Sequence, residues 1–431
     1  MKKKFFTVAV SAVLFASCFM SGCTWNNYGE IIVYDQIKNT KDYTEVSFFG
    51  YKSGKDNLSA IEDTLRVFME ENEKINVVYE GANEDVYWEA LHRRHEHDVF
   101  DDIFMVNHDS MVELTREGRL ENLASCIDLN NFNPQVREQI TGDDPSTVFF
   151  VPMNISSHNL YINYGVLEKH GKSVPTSYAE FEAICNYFMG EGIAPIIVND
   201  TTSLRVLMTA RSMYEVYQSD TDAKIKNFNS NPEALATQYE AGIDMVAGML
   251  EKGWIDKEEA LSVSQTEDDL KLFEENERPF MITNSWATMR VKKEKPDLNY
   301  GVHPFFIPEY ESVLVIDVRT CVAVNAASAN KEAAKKLISY MTHPGALKEY
   351  CKSQSSYLPT NDENDPVDAT LNPSNDYLYN GKNVIGSDYR LTIPDWDDCL
   401  MECGKMLARG NSADSVKDYL KTELVKKVGA V

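Results

Sequence analysis

Along the 431-residue chain the spacing of apolar positions changes from segment to segment, and each change marks an element. Val46-Ser47-Phe48-Phe49-Gly50 is a short β-type run closed by glycine. Residues 57–71 then place Ile61, Leu65, Phe68 and Met69 at helical spacing, and residues 75–79 return to a strand pattern. A strand–helix–strand unit of this length predicts parallel pairing and an α/β class. The alternation continues with a buried-looking strand over 102–106 that ends at Asn107-His108-Asp109, and a short helix over 111–118 stopped by Gly118. Two further strands are expected over 147–153 and 160–163. Pro175-Thr176-Ser177 precedes a helical apolar pattern with Glu180 in its first turn, and helices dominate from there to Gly253. Strands are expected again over 280–283 and 313–318, and a helix over 331–341. A last helix sets Trp396, Cys399, Leu400, Cys403 and Leu407 on one face. No internal repeat or long linker follows residue 44, so two lobes would have to be joined by several short crossings.

The ends and the charge decide the compartment. Residues 1–4 carry three lysines and residues 5–20 are an almost uncharged apolar run, too short to span a bilayer comfortably. The run closes on Ser21-Gly22-Cys23, which resembles the lipobox of bacterial lipoproteins. That resemblance implies a signal peptide over 1–22, cleavage before Cys23, a lipid on its thiol, and a protein held by acyl chains at the outer face of the cell membrane. A plain secretory signal with an incidental cysteine is the alternative, although Cys18 lacks the Ser-Gly that precedes Cys23. Residues 23–43, polar but for a patch at 31–34, read as a tether.

The chain has 42 Lys and Arg against 67 Asp and Glu, a net charge of −25, and losing residues 1–22 with their three lysines makes it −28. So acidic a surface, without a basic stripe, argues against nucleic acid as a partner. An apolar share of 43% is that of a folded protein. The six cysteines after Cys23 are too sparse for a disulfide scaffold, and the sequence chooses no pairing among them. Cys399 and Cys403 read as buried small hydrophobes.

His92, His95 and His97 invite a metal, but their spacing matches neither H-E-x-x-H nor a closed zinc site. With two arginines among them they read as a solvated charged face, and neither a metal nor a cofactor is expected. No nucleophile elbow, phosphate loop or dinucleotide fingerprint is present. What stands out is a set of polar and aromatic residues at strand ends and turns: Tyr51, Asn107, Asp109, Asn154, Ser156, Trp286, Arg319 and Trp396. In open α/β sheets ligands sit beyond the carboxyl ends of strands. Sugars present apolar faces and a hydroxyl rim, which suit aromatic platforms flanked by amide, carboxylate and guanidinium groups. Each tryptophan can equally well be core.

The order of several segments resembles the extracellular solute-binding proteins of bacterial ABC transporters, in the branch containing maltose-binding protein. The resemblance is carried by Asp102 to Asp109 with Glu117-Gly118-Arg119-Leu120, by Val151-Pro152-Met153 through Leu160-Tyr161-Ile162-Asn163, and by Leu250-Glu251-Lys252-Gly253-Trp254-Ile255. Phe280 to Ala287 and Ala323 to Ala334 complete it, so that together the motifs span most of residues 44–360. It implies a two-lobed periplasmic-binding-protein fold of type II, with hinge crossings and a ligand cleft. The expected lobes are 44–153 with 315–358, and 154–314 with 359–431. Carried over by position, Asp109 would bond a sugar hydroxyl and Trp286 would stack on a ring. Val106, Ser110 and Ser156 stand where the maltose protein has other groups, which points away from maltodextrin. The expectation is a monomeric, non-enzymatic subunit that delivers a carbohydrate to membrane permease subunits. Two alternatives stay open: another solute (peptide, polyamine or metal), and a surface glycosidase or esterase.

Overall fold

In the computed structural model the described residues are 32–35 and 43–429, apart from 143, 200–201, 264–266, 276, 311, 355, 361–368 and 380–382. The signal segment, Cys23 and most of the expected tether lie outside them. The strands are β1 (Ile32–Asp35), β2 (Thr44–Gly50), β3 (Ile75–Gly81), β4 (Ile103–Val106), β5 (Val151–Asn163), β6 (Ile196–Ile197), β7 (Phe280–Asn284), β8 (Tyr300–His303), β9 (Leu314–Val324) and β10 (Asn383–Ile385). They form one sheet in the order β1-β3-β2-β4-β9-β5-β7-β6, with β10 beside β9 and β8 beside β5. β2 pairs in parallel with both β3 and β4, as the strand–helix–strand pattern requires, and helix Lys55–Glu71 makes the crossover.

β5 and β9 are the long strands, and they hold the molecule together. They pair antiparallel from Val151↔Val322 to His158↔Val315. The far end of β9 also pairs with β4, and the far end of β5 pairs with β7 and β8. Each therefore belongs to two lobes. One apolar core contains Val46, Phe48, Leu65, Tyr79, Ile103 and Leu337; the other contains Ile162, Phe181, Leu207, Ile243, Trp254 and Leu424. β7 touches both, because its period of two sends Phe280 and Ile282 to the second core and Met281 to the first. The result is an α/β fold of two lobes joined by crossing strands.

Several elements differ from the sequence pattern. The strand expected over 313–318 runs on as β9 to Val324, so that Arg319 lies inside it, and the short strand β6 interrupts the stretch expected to be helical. Where two strands were expected over 147–153 and 160–163, β5 runs unbroken and fully buried from Val151 to Asn163. Its polar middle is tolerated because partners lie inside the fold: Ser157 Oγ donates to Asn159 Oδ1 (2.6 Å), Asn159 Nδ2 to Ser374 Oγ (2.9 Å), and His158 Nε2 meets Asp317 Oδ2 (2.9 Å). The apolar patch assigned to the tether forms β1, an edge strand antiparallel to β3. Helix Trp396–Ala408, expected to be the last, is followed by Ala413–Gly429, whose Val416, Leu420 and Leu424 are buried. The six described cysteines are free thiols, five of them buried. Among the described residues no helix is long and apolar enough to cross a membrane.

Candidate functional site

Where β5 and β9 cross, two adjoining cavities of about 220 Å³ and about 210 Å³ share Tyr51, Glu84, Arg319 and Thr320. They form one cleft between the lobes. Tyr51 directly follows β2, and the Thr320 N–H donates to its hydroxyl (3.1 Å). Its ring lies 5.4 Å from Trp88, and burial pushes its phenol up to about 12. Lys52, next along, points its amine at Gln354 Oε1 (3.3 Å); burial, partly opposed by Glu84, brings it down to about 8. Arg319 lies 3.7 Å from Glu84. The neighbouring Thr320 has φ 49°, a left-handed conformation that a β-branched residue rarely adopts, so backbone strain sits at the crossing itself.

The first cavity is edged by Asn107, Asp109, Asp317, Asp397 and Asp398. Asn107 caps helix His108–Arg116: its Oδ1 accepts from Ser110 N (2.9 Å), while Ser110 Oγ accepts from the Asn107 N–H (3.0 Å). Its carboxamide oxygen therefore serves the helix. Asp109 accepts from His108 Nδ1 (2.9 Å), and His108 Nε2 donates to the Leu391 carbonyl (2.6 Å) from the other side of the cleft. Both partners of the ring are acceptors, so the ring needs both protons. Burial opposes its charge, but the Asp109 carboxylate outweighs this and raises the pKa, while His108 in turn holds Asp109 below its usual value. Asp317 is buried against that same tendency; His158, Arg205 and Arg319 hold its carboxyl well below the carboxylate range. Gly386 approaches it so closely that a Cβ there would come 2.7 Å from Asp317 Oδ1. Asp397 and Asp398 are raised, first by burial and then by neighbouring carboxylates, although Arg205 donates to Asp397 Oδ1 (2.7 Å).

The second cavity is edged by Asn154, Ser156, Ser356, Trp286 and Met289. Asn154 is 6% exposed and its Oδ1 has no hydrogen-bond partner among the described residues; the Ser356 hydroxyl is in the same state. Trp286 caps helix Ala287–Glu294 and is 39% exposed, beside the equally exposed Met289. Two large apolar side chains left open over one cavity form a platform.

Seven of the eight residues singled out from the sequence thus edge the cleft: Tyr51 and Arg319 at its centre, Asn107 and Asp109 in the first cavity, and Asn154, Ser156 and Trp286 in the second. Trp396 does not. It is 1% exposed and packed in the second core, its ring 6.3 Å from Tyr239 and 6.2 Å from His108. The sequence reading passed over Glu84, Trp88, Asp397 and Asp398. Glu84, Asp397 and Asp398 lie in the first turns of helices and Trp88 one turn after Glu84; Glu84 stands just beyond the carboxyl end of β3, where the strand-end rule already directed attention.

Residues 65–373 match the family model of the bacterial extracellular solute-binding protein. Solved structures show the same fold at low identity. The apo form of RafE from Streptococcus pneumoniae superposes with a TM-score of 0.70 at 16% identity, covering 91% of this chain and 100% of that one. A sugar transporter protein from Bacillus licheniformis, solved in complex with stachyose, gives 0.66 at 17%, over 89% and 100%. The sugar-binding protein MalE from Xanthomonas citri gives 0.71 at 17%, over 90% and 98%. No curated protein matches the chain.

Proposed function

The chain belongs to the bacterial extracellular solute-binding family, and on that premise we propose that it captures an oligosaccharide in the cleft and hands it to the permease of an ABC importer. The observation that carries the sugar reading is Trp286, exposed with Met289 over a cavity whose rim offers Asn154, Ser156 and Arg319. A ring face covers the indole, and hydroxyls reach the Asn154 and Ser356 atoms that lack partners. Relatives of the same fold solved with raffinose, stachyose or cycloalternan support this class of ligand. In this reading the lobes are 44–153 with 315–358, and 154–314 with 359–431. They close about β5 and β9 because the closed form binds the solute better. Cys23 carries the lipid that keeps the monomer at the outer face of the membrane, and no catalysis is required of the chain.

The acid-rich first cavity, with Glu84, Asp109, Asp397 and Asp398, favours a second reading in which the solute carries a cationic group. One experiment separates the two: thermal unfolding of the protein against neutral oligosaccharides, polyamines and peptides, with products analysed in parallel. A ligand at ~100 times its Kd stabilises by about 2.7 kcal/mol, a shift of a few degrees. A shift with neutral glycans and no product supports the sugar reading. A shift with polyamines alone overturns it, and product formation overturns the binding role.

A further inference from the structure

The histidine run that spacing alone leaves as a solvated face acquires a third donor from the next helix. His92 and His95 stand at i and i+3 on helix Glu84–Glu96, and helix His108–Arg116 brings Glu113 against them. One donor atom from each of His92, His95 and Glu113 lies within 4.8 Å of the others. His95 is the fixed member. It is 11% exposed at its side chain, its ring stacks on Phe100 at 5.7 Å, and its Nε2 lies 2.6 Å from Glu117 Oε2. A carboxylate accepting from Nε2–H leaves the Nδ1 lone pair free, and Nδ1 lies 3.8 Å from Glu113 Oε1. Metal bonds of about 2.0–2.1 Å in a tetrahedron put donors ~3.4 Å apart, so small rotations of the exposed His92 and Glu113 close the site. Carboxylate, imidazole and metal in series is also the arrangement that orients a ligating histidine.

The nearby cations do not oppose this. Arg94 is held by Glu80 and Asp101, Arg93 pairs with Glu89 (3.5 Å), and Arg119 bonds Asp98 (2.5 Å) while its Nε lies 3.6 Å from Glu117 Oε2, a carboxylate that orients His95 and is not itself a ligand. Two imidazoles and one carboxylate suit zinc and its late first-row neighbours rather than calcium or magnesium. We propose that His92, His95 and Glu113 bind a divalent zinc-class metal, with Glu117 orienting His95. The metal ties together two helices that both edge the solute cleft, one through Glu84 and Trp88, the other through His108 and Asp109. It does so outside the cleft, so the assignment stands or falls apart from the ligand reading.

The test is calorimetric titration of the tag-free full chain with zinc chloride. One equivalent bound and a raised Tm are expected, with binding lost in His92→Ala and in His95→Gln and about tenfold weaker in Glu117→Gln. His92 is exposed, so His92→Ala should keep the metal-free Tm and separate lost ligation from lost folding. No uptake at submillimolar zinc, or uptake of unchanged stoichiometry and affinity in His92→Ala and His95→Gln, overturns the proposal.

Discussion

Trp286→Ala is the sharpest probe of the cleft, because the structure separates its effect on binding from its effect on folding. A buried aromatic side chain covers 150–250 Å², so the 39% left exposed at Trp286 is roughly 80 Å². Covering that area with a sugar face contributes ~2 kcal/mol at ~25 cal/mol per Å², or about 30-fold in affinity. Trp286 belongs to neither core, so truncation opens no core cavity, and the roughly 120 Å² of its surface that the protein already covers sets an upper limit of ~3 kcal/mol on the loss of unliganded stability. The assay is isothermal titration with the oligosaccharide that gives the largest thermal shift, alongside urea unfolding without ligand. A Kd within twofold of the wild type would refute the stacking assignment. So would weakened binding accompanied by a collapse of the unliganded stability, since that would make Trp286 a packing residue.

Trp396→Ala should behave in the opposite way: with its ring buried in the second core, truncation costs about 3–5 kcal/mol in urea unfolding. A loss below ~1 kcal/mol would contradict its placement. His108 predicts a pH dependence, because its folded pKa is raised above 6.5 and the charged ring bridges Asp109 and Leu391. Its stabilisation is fully present below the unfolded value and drains as pH rises through the folded one. Tm measured from pH 5 upward should therefore show a downward step that His108→Gln flattens. Asp317→Asn should cost about 3 kcal/mol, because it leaves His158 and Arg205 facing a neutral group. Asp317 is depressed, so its contribution is present above the unfolded carboxylate value and is lost as pH falls through the folded one; acid unfolding of the variant should lack that part of the transition.

The parts of the fold that could be read from the chain are those where one face of an element meets one core. Helix Lys55–Glu71 and the strands beside it show this, since Ile61, Leu65, Phe68 and Met69 all pack in the first core at the spacing the sequence displays. β5 resisted for the converse reason. Between Met153 and Leu160 it serves the crossing and the cleft, so its side chains follow the needs of hydrogen bonding and burial between two lobes, and a stretch such as Asn154-Ile155-Ser156-Ser157-His158-Asn159 has no period to detect. The same logic explains the site. The strand-end rule found Tyr51, Asn107 and Asp109; Arg319 was reached by the same rule but sits inside β9, and Asp397 enters from the first turn of a helix with no strand signal.

The two tryptophans show how periodicity decides between the core and the ligand readings that the sequence leaves balanced. Trp396 opens a run in which Cys399, Leu400, Cys403 and Leu407 recur at helical spacing, and all five are buried together in the second core. That periodicity was itself the evidence for core, and it outranks the general suitability of an indole as a sugar platform. Trp286 follows Asn284-Ser285 and precedes a helix that buries Ala287, Thr288 and Val291, so no apolar stripe claims it. An aromatic outside the period of its own element has no packing obligation, which leaves it free for a ligand. The histidine run obeys the same rule. His92 and His95 looked solvated because spacing reports only neighbours on one helix, whereas the donor that completes the trio, Glu113, is brought in by the packing of a second helix.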